Sequence, residues 1–99
     1  MKHFLVEIRY TAPMDKVDAV VGNHREFLQE GYDSGMLLMS GPRNPKTGGL
    51  VIARAAAIED VREYFLRDPY HLAGVAQHDF IEFNPVKRQP FMNDWVEGR

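Results

Sequence analysis

The chain has 99 residues, 44% hydrophobic and 26% charged, with 12 Lys and Arg against 14 Asp and Glu for a formal net charge of −2. That length and balance fit one compact domain, burying roughly two-thirds of the surface the unfolded chain exposes, and exclude both global disorder and a basic face for nucleic acid. The absence of cysteine excludes disulfides, thiolate zinc sites and a Cys nucleophile, and no apolar run approaches the roughly 20 residues that span a bilayer.

Residues 3–10 place Phe4, Val6, Ile8 and Tyr10 on one face and His3, Leu5, Glu7 and Arg9 on the other, the period of a strand. Glu7 and Arg9 are also foreign to a secretory h-region, so a cytoplasmic protein without a membrane partner is expected. Thr11-Ala12-Pro13 breaks the strand, and Asp15 is placed to cap a helix. From Lys16 to Ser34 the positions Val17, Val20, Val21, Phe27, Leu28 and Tyr32 make an apolar helical stripe whose one gap is filled by His24. His24 is thus predicted on the inner face, near the middle of one helix that Gly35 ends. Gly22 and Gly31 each cost about 1 kcal/mol relative to Ala inside a helix, a sign of close packing or local irregularity.

Met36 to Met39 reads as a short strand buried on both sides, ended by Ser40-Gly41-Pro42. The turn residues of Arg43 to Gly49 predict a hairpin loop, with a third strand from Leu50 to Ala56. Ile58, Val61, Tyr64 and Phe65 set a second helix running to Arg67, and Asp68-Pro69 stops it. Pro69 opens a short turn through Ala73, capped by Asp68 and closed by Gly74. Gln77 to Val86 alternates again as a fourth strand. Residues 1–87 are read as the domain and 88–99 as a tail holding Trp95, which either packs on a neighbour or frays.

The order β-α-β-β-α-β is the split βαβ arrangement, a ferredoxin-like α+β fold with two helices on one face of a four-stranded antiparallel sheet. Strands two and four, and Leu5, also offer apolar side chains to the opposite face, which predicts a homodimer packed sheet to sheet.

Imidazole titrates near neutral pH, so His24 is the first candidate for acid–base chemistry. On an apolar helical face it is either a hydrogen-bonded core residue or a catalytic one, and an orienting carboxylate would favour the second. Asp68 can supply it, because antiparallel helices bring the end of helix two beside helix one; capping the Pro69 turn is its other, compatible role. Ser40-Gly41-Pro42 is either a plain turn or a hydroxyl and close backbone N–H for an anionic ligand oxygen, and nothing marks Ser40 as a nucleophile elbow. His3, His71 and His78 stand alone, without HxH, HxxxH or HExxH spacing, so no metal is expected. Gly48-Gly49 lacks the surroundings of a phosphate loop, no cofactor is expected, and Arg9 and Arg54 are each either an anion clamp or a surface charge, the second being the expectation.

In order and spacing, His24-Arg25-Glu26-Phe27-Leu28, Gly35, Ser40-Gly41-Pro42, Gly48-Gly49, Ala53-Arg54, Asp68-Pro69-Tyr70, Ala73-Gly74 and Ile81-Glu82-Phe83 resemble the YciI-like (YCII-related) family. The resemblance covers about residues 1–87. It implies a ferredoxin-like subunit that dimerises as an α/β barrel. It also implies an active site on a His-Asp pair, here His24 and Asp68, with Ser40-Gly41-Pro42 beside it. A related branch is associated with dehydrochlorination of a chlorinated hydroxyquinol, and similar barrels include muconolactone isomerases and cofactor-free monooxygenases. This chain departs from the pattern at Ala57, where a Ser or Asp cap is usual, and at Tyr70, where Phe is frequent. The expected function is a cofactor-independent enzyme doing isomerisation, elimination or dehydrochlorination on a small aromatic or enolic molecule. The alternative is a non-catalytic dimeric module that binds a small molecule or serves as an accessory.

Overall fold

In a computed structural model describing residues 1–99, the chain runs β1 (Lys2–Tyr10), α1 (Met14–Asp18), α2 (Val21–Asp33), β2 (Leu37–Pro42), β3 (Gly48–Ala55), α3 (Ile58–Phe65), α4 (Pro69–Leu72) and β4 (Ala76–Phe83). A 3₁₀ turn (Pro90–Met92) and α5 (Asn93–Glu97) follow. The strands form one antiparallel sheet in the order β2-β3-β1-β4, the ferredoxin-like arrangement expected from the element order. Alternation in β1 sends Phe4, Val6 and Ile8 inward, where they meet Val51, Ala53 and Ala55 of β3 under Phe27 and Leu28 of α2 and Val61 and Phe65 of α3. Each large apolar side chain buried there contributes about 1.5–3 kcal/mol.

Aromatic contacts set α2 beside α3. Phe27 stacks on Tyr64 with ring centroids 4.3 Å apart, and Phe65 meets both rings edge-on. Gly31 allows the approach, since a Cβ there would come within 2.7 Å of the Tyr64 hydroxyl and 2.6 Å of Leu37. This is the close packing expected at one of the two helical glycines. The irregularity belongs to the other, because the single helix expected from Lys16 to Ser34 is two helices. Val20 leaves the helical region at φ −119°, ψ 6°, just before Gly22. The run Val20-Val21-Gly22-Asn23 consists of weak helix formers, and α1 ends at Asp18 with Val17 buried in the core. Pro13, not Asp15, takes the N-cap position of α1. His24 consequently lies in the first turn of α2 rather than mid-helix.

The second correction concerns β2. It is not buried on both sides: Leu37 is buried, whereas Met39 is 58% exposed. Nor do Ser40, Gly41 and Pro42 end it, since they pair with Val51, Leu50 and Gly49. A bulge between Leu37 and Met39 inverts the alternation, so that Ser40, opposite inward-facing Val51, turns to the helical side. Smaller differences concern strand and helix ends: β3 begins at Gly48, α3 ends at Phe65, and β4 runs from Ala76 to Phe83.

Arg54 is not a surface charge. Its guanidinium donates to the carbonyls of Gly35 and Trp95 at 3.0 and 2.8 Å and lies 4.0 Å over the Trp95 ring. His3 donates from Nε2 to the Val96 carbonyl at 3.0 Å. The tail therefore packs against its own chain, over the end of the sheet face opposite α2 and α3. Elsewhere on that face Leu5 and Ile52 are half-buried, and Leu50, Ile81 and Phe83 are exposed. No helix is long and apolar enough to cross a membrane.

Candidate active site

The site grows out of the stop signal Asp68-Pro69. Proline holds Asp68 out of the helical region, at φ −61° and ψ 125°, so its side chain turns inward and caps α4 by accepting from the Tyr70 N–H at 2.9 Å. The carboxylate is fully buried. Such a charge persists only when its oxygens are satisfied. Oδ1 accepts from Nδ1 of His24 at 2.7 Å as well as from Tyr70, and Oδ2 accepts from Nε2 of His78 at 2.8 Å.

Burial by itself would raise the Asp68 pKa. The hydrogen bonds from His24 and His78, the charge of His24 and the Tyr70 N–H outweigh it and bring the carboxyl down to about 2. An ionised carboxylate can only accept, so both imidazoles donate to it. In the neutral form of the His24 ring its one proton is thereby assigned to Nδ1. Its Nε2 has no partner within the protein, and no buried side-chain nitrogen is left unpaired, so Nε2 opens on the adjoining cavity.

The folded carboxyl titrates below the unfolded value of 3.8, which gives the pH dependence its sign. The stabilisation is complete above about pH 4 and is lost as pH falls towards 2, and it amounts to on the order of 2 kcal/mol. Urea unfolding at both ends of that window should show the wild type losing more stability than Asp68→Asn, which lacks the titrating group.

The His24 ring is held flat against Tyr70, centroids 3.8 Å apart and planes 8° from parallel. Burial, then Tyr10 and Asp68, push the Tyr70 phenol well above the usual tyrosine range, so it stays neutral. The two rings form one wall of a cavity of about 240 Å³. Ile8, Val17, Leu28 and Val51 give it an apolar floor, and Arg25 and Lys46 bring cations to its rim. The volume falls below the ~300–1,000 Å³ of drug-sized sites and suits a molecule of about one ring.

Ser40, Gly41 and Pro42 line the same cavity. The bulge in β2 puts Ser40 there, and its Oγ lies 2.6 Å from the Tyr32 hydroxyl. His24 is hydrogen-bonded to Asp68 and not to Ser40, so the three do not form a nucleophilic triad. The residue that sequence reasoning missed is His78, taken there as isolated. The available signal was its parity with Phe80 in β4, which puts it on the inward side of the sheet. His3 lies on the opposite sheet face, and exposed His71 lines a second cavity on the other side of His78, so neither joins this one.

The model of one family, the YCII-related domain, matches residues 1–84. No curated protein matches the sequence. Among solved structures the chain is similar to the 5-chloro-2-hydroxyhydroquinone dehydrochlorinase of Burkholderia phenoliruptrix, in complex with 2,5-dihydroxybenzoquinone. The TM-score is 0.58 at 20% identity, over 88% of this chain and 92% of that one. At that identity the likeness shows a shared fold.

Proposed function

The chain belongs to the YCII-related domain family, and on that premise we propose that it is a cofactor-independent acid–base enzyme acting on a small aromatic or enolic molecule. The observation that carries the reading is His24: Nδ1 is held by an ionised carboxylate while Nε2 stands bare at a cavity of one-ring size. His24 takes a proton from a ring O–H or C–H, and Asp68 holds the imidazole in the required tautomer and stabilises the imidazolium that results. In an isomerisation the proton returns at another atom of the same molecule. In an elimination the electron pair left behind expels a halide, and the net change is loss of HX. The Ser40 hydroxyl, the backbone at Gly41 and the rim cations Arg25 and Lys46 receive the oxygen on which charge grows.

The neighbour's quinone ligand has the ring size this cavity admits, which supports the choice of probes. Wild type is expected to bind 2,5-dihydroxybenzoquinone in calorimetry and to release chloride from 5-chloro-2-hydroxyhydroquinone, with turnover lost in His24→Ala. Turnover at the wild-type rate in His24→Ala removes the acid–base assignment, and quinone binding without any turnover by the wild type favours a binding module instead.

We further propose that the working unit is a homodimer packed through the sheet face that carries Leu50, Ile81 and Phe83. Light scattering should give a dimer at micromolar concentration, converted to monomer by Phe83→Asp. A wild type that is monomeric under those conditions would refute it.

A further inference from the structure

We propose that His78 is a positioning residue: by donating from Nε2 to Oδ2 of Asp68, it fixes the plane of the carboxylate and keeps Oδ1 aimed at His24. The inference rests on the reading of His24 as the base, and assigns a further residue to that site.

Asp68 lies between two helices, outside regular structure, and its carboxyl group turns about one bond from Cβ. Oδ1 has two donors, one of them the backbone N–H of Tyr70 two residues on. Oδ2 has His78 alone. With that donor removed, a buried oxygen is left bare, and the group gains by turning until its two oxygens share the remaining donors. Either arrangement loosens the bond to Nδ1 of His24, and with it the tautomer that leaves Nε2 free.

His78 is well held for this task. On the edge strand β4 it pairs with Ile8 of the inner strand β1, its ring lies nearly parallel to Phe80 at 6.5 Å, and Phe65 at 5.5 Å and the His71 ring at 6.2 Å close further sides. Its side chain is 5% exposed. The row Ala76, His78, Phe80 faces the helices, so an apolar side chain at the middle position would pack with Phe65 and Phe80 without needing a partner. The one hydrogen bond the imidazole makes there is to the second oxygen of Asp68. Because His24 comes from α2, Asp68 from the α3–α4 junction and His78 from β4, this third member ties the helical pair to the rigid sheet.

Two substitutions separate positioning from packing. His78→Gln keeps an N–H donor at similar reach and cannot carry charge; His78→Phe keeps a flat ring and removes the donor. Nitrogen-15 NMR of the histidine rings reads the result without substrate. Wild type and His78→Gln are expected to show His24 as a single Nδ1–H tautomer with a strongly hydrogen-bonded proton, and His78→Phe a mixture. With 5-chloro-2-hydroxyhydroquinone, His78→Phe should lose about ten- to a hundredfold in kcat at nearly constant KM, and His78→Gln should recover most of it.

The proposal is overturned if His24 populates both tautomers in the wild type, if His78→Phe keeps the wild-type tautomer, or if His78→Gln loses it. The last comparison decides the matter even when His78→Phe does not fold. A wild type inert towards the probe defeats the acid–base reading while the NMR result still tests the positioning.

Discussion

Asp68→Ala is expected to lower folding stability by about 3–5 kcal/mol, since each buried donor left without its acceptor costs about 1–3 kcal/mol. The size follows from how many groups depend on this carboxylate. Nδ1 of His24, Nε2 of His78 and the N–H of Tyr70 all donate to it, and Asp68 has no exposed surface through which water would easily replace it. In a domain of 99 residues the midpoint of thermal unfolding should fall by more than about 10 °C. Asp68→Asn should be far milder, costing about 1–2 kcal/mol. Its carboxamide oxygen can still accept from His24 and Tyr70, and its NH₂ can donate to His78 once that ring moves its proton to Nδ1. Thermal melts of the two variants beside wild type provide the check. An Asp68→Ala protein as stable as wild type would mean that the three donors find other partners, and the site as described would not be what holds them.

Much of this arrangement could be read from local signals. The alternation in β1, the helical stripe through Phe27 and Leu28, and the stop at Asp68-Pro69 each depend on a few neighbouring residues, and a strand, a helix and a helix end lie at those positions. What escaped depends on distant partners. The bulge in β2 is a two-against-one pairing decided by β3, and nothing in Leu37-Leu38-Met39 marks it. The break at Val20 was foreshadowed by Gly22 and its weak helix-forming neighbours alone, because the stripe continues through it in helical register. Arg54 looked like a surface charge because the groups it meets, Trp95 and its carbonyl, lie in the tail on the far side of the fold in sequence. His78 is the most instructive case. A single imidazole on an inward strand position has no spacing rule to identify its partner, and Asp68 already had a cap to make and a histidine to orient.

His24→Ala is expected to lower turnover of 5-chloro-2-hydroxyhydroquinone by about 10²–10⁴-fold, the range that general acid–base help supplies. The effect should fall on kcat, because the apolar floor and the rim cations remain to bind the ring. Stability should suffer less than in Asp68→Ala, by about 1–2 kcal/mol, since Oδ1 keeps the Tyr70 N–H and water entering from the cavity can donate in place of the ring. The missing ring leaves a flat slot against Tyr70, where the imidazole stacked at 3.8 Å. Added imidazole should occupy it, accept the substrate proton and restore part of the lost rate, with no such rescue in Asp68→Asn, where the base is present but its charged partner is not. Steady-state rates with and without millimolar imidazole measure this directly. A His24→Ala enzyme with wild-type kcat removes His24 from the chemistry. A large loss with no rescue, in a variant whose quinone affinity is also lost, would place His24 in the binding of the ring instead.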